Sequence, residues 1–199
     1  MYRSPEEYEF ITKTIIQIYI DYNIKGFPLD EKDICRRLGV SLIPYSESSK
    51  VGIKLLKKRS MYGFYVKGYS NIPPTIYYND MRESVGAIRF TIFHEIKHYV
   101  FNEDVSNEEE DDLADFFARY FMCPIPYVII KNIQSKNEII SGFGLSDSAA
   151  SNVVSNIRNR RLYYGKKIFD NEVPLLEHLD IDAFEVFNML NKENNSNMI

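Results

Sequence analysis

Apolar positions recur along this chain with two different periods, and the switches between them divide it into elements. Phe10, Ile11, Thr14, Ile15 and Ile18 fall at helical spacing. The residues before them read as a helix start: Ser4 can cap, Pro5 suits the first helical position, and Glu7 completes a capping box. A shorter helix over about 30–38 stops at Gly39. Val40 to Tyr45 reads as a strand, and 46–61 as a polar loop with a helical turn or two. Residues 63–67 and 75–78 read as two further strands, separated by turn residues Gly68, Pro73 and Pro74. Helical spacing then returns over about 80–101 and 109–122, the second stopping before Pro124, with the acidic stretch 103–112 mostly loop. From 125 onward the pattern is helical, with Ser146 as a cap and a frayed polar end over 191–199. The expected fold class is α+β, with a boundary near 135–145: a main unit over 1–135 and a helical C-terminal lobe over 136–199, which can form part of the same domain.

Composition narrows the picture. The 199 residues suffice for one domain with a real core, and 45% apolar with 26% charged residues excludes a disordered chain. Formal charge is 24 − 28 = −4, so no global basic field draws the chain to nucleic acid, and direct nucleic-acid binding is not expected. Two cysteines, Cys35 and Cys123, cannot build a secreted disulfide framework or a Cys-only zinc site. With no signal-like start and no membrane-length apolar run, a cytoplasmic protein without a membrane partner is expected.

The chemistry concentrates in Phe93-His94-Glu95-Ile96-Lys97-His98. Histidines at i and i+4 share one helix face, close enough for both imidazoles to reach one Zn²⁺ at roughly 2.0–2.1 Å. A glutamate after the first histidine can take a proton from a zinc-activated water, which makes Glu95 the candidate general base. The chain has three histidines, and two of them form this pair. Ile88, Ile92, Phe93 and Ile96 give the helix a core-facing side, against the alternative of two solvated surface histidines. A third ligand must come from elsewhere. His178 reads as a half-buried helical histidine, so a carboxylate of the next helix is favoured. Asp111 and Asp115 lie one turn apart there, and Leu113, Phe116, Phe117 and Phe121 mark the buried side. Asp111 is the candidate ligand, with Glu110 and Asp112 as alternatives, and Asp115 the candidate acceptor for a ligand histidine's ring N–H. Glu108 and Glu109 read as a solvated helix start.

These residues resemble the motifs of the ImmA/IrrE family of HExxH metallopeptidases. The first motif reads Arg89-Phe90-Thr91-Ile92-Phe93-His94-Glu95-Ile96-Lys97-His98, and the second runs from Asp111 to Pro124. Ile76-Tyr77-Tyr78-Asn79 is similar to the family's strand before its active-site helix, and residues 143–150 to its C-terminal element. The family's usual first glutamate is Asp111 here, its second glutamate is Leu113, and its usual asparagine is Asp115. The resemblance implies a zincin-like core with a small, mostly antiparallel sheet beside the active-site helix. It also implies a zinc endopeptidase whose protein substrate is a helix-turn-helix repressor of a mobile element or stress regulon.

The alternative class is a non-enzymatic regulator that keeps a peptidase-like fold and binds a repressor or DNA. Its support is the basic run Arg158, Arg160, Arg161, Lys166 and Lys167. Glu95 weighs against it, since a binding module needs no general base between two ligand histidines. For an enzyme, an extended substrate is expected to add as a strand to a sheet edge. The segment 74–78 is the expected edge, with Ile76 and Tyr77 as contacts and Tyr65 or Tyr77 reaching toward the oxyanion.

Overall fold

The computed structural model describes residues 4–103 and 111–182, and of Asp111 the backbone alone. Helix α1 (Pro5–Asp21) begins as its sequence dictates, with the Ser4 hydroxyl accepting the Glu7 N–H and the Glu7 carboxylate accepting the Ser4 N–H. Helix α2 (Glu31–Leu38) is capped by Asp30 and ends at Gly39, whose φ of 74° is left-handed. Strand β1 (Ser41–Pro44) leads through a 3₁₀ turn into α3 (Lys50–Arg59), a full helix where mostly loop is expected. Ser49 caps α3 by accepting the Gly52 N–H, and none of the helix's residues is buried, so its apolar pattern is too weak to read.

Strands β2 (Gly63–Val66) and β3 (Thr75–Tyr78) precede α4 (Val85–Val100) and α5 (Asp111–Met122). Helix α4 starts at Val85 rather than near 80 because the preceding side chains are occupied in a turn. The Asp80 carboxylate accepts from the Ser46 N–H and hydroxyl, and Asn79 bridges the Met61 carbonyl and the Met81 N–H. Ser84 caps the helix by accepting the Ala87 N–H. The chain continues through α6 (Ile125–Ile130), α7 (Lys136–Phe143), α8 (Asp147–Tyr164) and α9 (Val173–His178). This is an α+β architecture. The polar end expected to fray and the acidic residues 104–110 lie outside the described residues. Among the described residues no helix is long and apolar enough to cross a membrane.

The sheet corrects two expectations. Its order is β1-β3-β2, with β1 parallel to β3 and β2 antiparallel to it, so it is mixed rather than mostly antiparallel. Strand β3 is central: Ile76 lies opposite Leu42 on one side and Tyr65 on the other. The prolines that suggested an edge sit before the strand, where Pro74 still contributes a carbonyl to the Ser41 N–H. The edge is β2. The Asn79 N–H donates to the Tyr62 carbonyl, so Phe64 and Val66 also face β3 while the amides and carbonyls of Gly63 and Tyr65 turn outward.

One apolar core runs from Ile11 and Tyr19 of α1 through Ile92, Phe93 and Ile96 of α4 and Phe117 and Phe121 of α5 to Ile139, Val153 and Leu175. Side chains on both sides of residue 135 therefore belong to the same cluster, and a smaller one gathers Ile129, Ile130, Ile168, Leu176 and Ile181. Each large side chain withdrawn in this way stabilises the fold by about 1.5–3 kcal/mol. Ala114 and Ala118, both fully buried, let α5 approach α4 closely, and Phe93 meets Phe121 at 5.3 Å. Burial pushes the Cys35 thiol up to about 12 and raises the Cys123 thiol further, so neither is a reactive thiolate near neutral pH.

Arg89, buried in α4, joins three segments. Its guanidinium pairs with Glu31 at 2.9 Å and donates to the carbonyls of Leu29, Phe143 and Gly144. Gly144 ends α7 with φ of 67°, and a Cβ there would land on that guanidinium. Gly144→Ala is therefore expected to cost about 2–4 kcal/mol, the left-handed strain adding to the displaced arginine. Urea unfolding would measure it, and a loss below about 0.5 kcal/mol would show that Arg89 moves aside freely.

Candidate active site

Helix α4 carries His94, Glu95 and His98 to the floor of a cleft of about 660 Å³. This is within the usual range of roughly 300–1,000 Å³ for ligand sites. The β2 edge at Gly63 and Phe64, α5 at Asp115 and Arg119, and α8 at Ala149 and Asn152 form its walls. The segment beyond residue 135 thus supplies one wall of the site. Close approaches hold the walls in place: a Cβ at Gly63 would meet the Thr91 methyl at 2.8 Å, and one at Gly86 the Ser146 nitrogen at 2.5 Å. Glycine at these positions lets α4 pack directly on β2 and on the start of α8.

The two imidazoles lie one turn apart with ring centroids 5.3 Å from each other. Each Nδ1 meets a carboxylate. His94 Nδ1 is 3.0 Å from Asp115 Oδ1, the arrangement expected from the spacing of α5. His98 Nδ1 is 2.9 Å from Glu103 Oε2, a partner that sequence reasoning missed. A carboxylate at Nδ1 fixes the proton there, so Nδ1 donates to it and Nε2 carries the lone pair of each ring.

Glu103 is placed by the way α4 ends. Asn102 takes a left-handed φ of 53°, the Asn102 N–H returns to the Tyr99 carbonyl, and the Glu103 N–H returns to that of His98. This is a Schellman termination with Asn in the left-handed position. It folds the Glu103 side chain back over the last turn, where it also pairs with the buried Lys97 at 2.7 Å. An asparagine followed by an acid just past the second histidine is the signal that could have found it.

Glu95 is buried, at 6% exposure, and its Oε2 accepts the outward N–H of Tyr65 at 2.9 Å. The edge strand therefore holds this carboxylate at the cleft floor between the two histidines. The expected substrate contacts lie elsewhere. Ile76 is fully buried in the central strand, Tyr77 stacks on Phe64 at 5.2 Å, and the Tyr65 ring packs against Tyr99 beside a second cavity. None of the three lines the cleft, because β3 is covered on both sides and the inward face of residue 65 points away from His94.

Asp111 opens α5, but its side chain, like all of Glu108, Glu109 and Glu110, lies outside what is described. Asp112 is exposed and is absent from the cleft lining. Among the described residues no group of three His, Cys, Asp or Glu side chains converges to hold a metal ion. The donor chemistry that is present, two imidazoles one turn apart with Nδ1 held by carboxylates, suits zinc. His178 does not line the cleft; its Nε2 is 3.1 Å from the Ile24 carbonyl, the half-buried helical histidine that was expected. The three arginines of the basic run lie within α8, and one of them is engaged inside the fold. The Arg160 guanidinium forms a bidentate pair with buried Glu172 and donates to the Lys167 carbonyl. Comparison with protein-family models, with curated proteins and with solved structures finds no match.

Proposed function

We propose that this chain is a zinc-dependent endopeptidase of the ImmA/IrrE type, with a zincin-like core, that cuts a helix-turn-helix repressor in the cytoplasm. The observation that carries the reading is a buried glutamate flanked on one helix by two histidines, each with its Nδ1 on a carboxylate, at the floor of a cleft bordered by a strand edge. His94 and His98 would hold the metal through Nε2, with Asp111 as the proposed third ligand. When bound, zinc supplies Lewis acidity to the scissile carbonyl and lowers the pKa of a water to about 7. Glu95 would take a proton from the attacking water and pass it to the leaving amine. The β2 edge at Gly63 gives an extended substrate a strand to lie along, and the Glu95 carboxylate, which holds the Tyr65 N–H, lies at that same edge.

Zinc analysis and cleavage of a proteome-derived peptide library test the reading together. The purified chain is expected to hold one zinc, to lose cleavage on chelation, and to regain it with added zinc. Cleavage that persists after chelation and in His94→Ala would refute it.

Asp115→Asn and Glu103→Gln should each weaken zinc affinity by about 10–100-fold, because the ring it orients loses its carboxylate while both imidazoles remain. Competition with a chromogenic chelator measures this. Unchanged affinity in both variants would show that neither carboxylate orients a ligand.

A further inference from the structure

Although the chain carries net charge −4, the cleft is rimmed by cations. Arg59 at the end of α3, Arg82 in the link between β3 and α4, and Arg119 on α5 all line it. Two of them are held by aromatic rings of the edge-strand segment: the Arg82 guanidinium lies 4.4 Å over Tyr62 and that of Arg59 5.0 Å over Phe64. Ring faces fix the position of a guanidinium and leave its N–H fork available for a carboxylate. Among the described residues neither Arg59 nor Arg82 is paired with an acid, whereas Arg119 has Asp115 within 3.8 Å. Behind Arg59, α3 adds Lys50, Lys54, Lys57 and Lys58 and no carboxylate. Among the described residues, the acids that line the cleft are Glu95 and Asp115, which are engaged by the Tyr65 N–H and by His94.

We propose that Arg59 and Arg82 select polypeptide substrates with acidic side chains next to the bond that is cut, an inference that rests on the peptidase reading. Both cations flank the edge at Gly63 along which an extended chain would lie. A polypeptide fits this rim better than a nucleic acid does. A phosphate backbone would bring its regular charges against Glu95 on the cleft floor and Asp115 in its wall, while a peptide places charge only where its side chains meet the arginines.

The test compares binding with cleavage. Two short fluorescein-labelled peptides of one sequence, carrying Glu in one and Lys in the other, are titrated into the Glu95→Gln protein at low salt, with anisotropy as readout. The Glu peptide is expected to bind about tenfold more tightly, with the difference shrinking at about 0.5 M salt. The double variant R59E/R82E should reverse the preference, and the milder R59Q/R82Q should abolish it while circular dichroism stays unchanged. Equal binding of the two peptides, or a Glu preference that survives in both variants, overturns the proposal. So does a single-stranded oligonucleotide that binds more tightly than the Glu peptide. If the wild type cuts nothing in the peptide library while the Glu preference holds, the peptidase reading falls and acidic recognition stands. If it cuts without regard to acidic neighbours, acidic recognition falls and the peptidase reading stands.

Discussion

Glu95→Gln is expected to lower peptide cleavage by about 10²–10⁴-fold while zinc content stays at the wild-type level. The substitution changes little else. Glutamine has nearly the shape of glutamate and keeps a carbonyl oxygen to accept the Tyr65 N–H, so the edge strand and the buried floor of the cleft should survive. What disappears is the ability to take a proton. His94→Ala differs in kind, since it removes an imidazole and should lose both metal and cleavage. Measuring rate and zinc content on the same preparations separates the two. A Glu95→Gln protein that cleaves at the normal rate would refute general-base catalysis at this position, and one that loses zinc would mean that Glu95 serves as a ligand instead.

Arg89→Ala is expected to cost about 3–5 kcal/mol, because it leaves the Glu31 carboxylate and the Leu29, Phe143 and Gly144 carbonyls without their shared donor. That is a large part of the roughly 5–15 kcal/mol that separates folded from unfolded chains of this size. Arg89→Lys should recover little of it, since an ammonium is a single point and cannot span α2, α4 and the end of α7 as the guanidinium fork does. Urea and thermal unfolding give the number, with a fall in Tm on the order of 10 °C. A loss below about 1 kcal/mol would mean that these carbonyls find water instead. The residue belongs to the first motif by sequence, yet its structural work is to set the distance between the active-site helix and the α7–α8 turn that begins the opposite wall.

Local chemistry was legible in the sequence, and the reason is periodicity. The start of α1 follows from Ser4, Pro5 and Glu7 because a capping box is closed by neighbours. The stop of α2 follows from Gly39, and the shared face of His94, Glu95 and His98 from helical spacing alone. Even Asp115 was within reach, because a residue on the next helix at the right phase has few places to point. Helix α3 was not, since it buries no residue and so leaves no apolar stripe to read.

The pairing of the strands was decided only in three dimensions. Pro73 and Pro74 suggest an edge when read along the chain, but β1 pairs with β3 on one side and β2 on the other, so β3 is central and β2 is the edge beside the cleft. A sequence does not state which partner a strand takes, because the hydrogen bonds that join β1 to β3 link residues more than thirty positions apart, the Ser41 N–H and the Pro74 carbonyl among them. The same holds for Glu103, which the left-handed Asn102 turns back onto His98, and for the wall that α8 lends to the cleft. By itself the sequence determined which groups stand on the active-site helix and in what order. The tertiary structure decided what faces them: Glu103 and Asp115 behind the rings, the Tyr65 amide on Glu95, and Arg59 and Arg82 at the rim. Those contacts depend on long-range packing, which helical and strand periods along one chain do not encode.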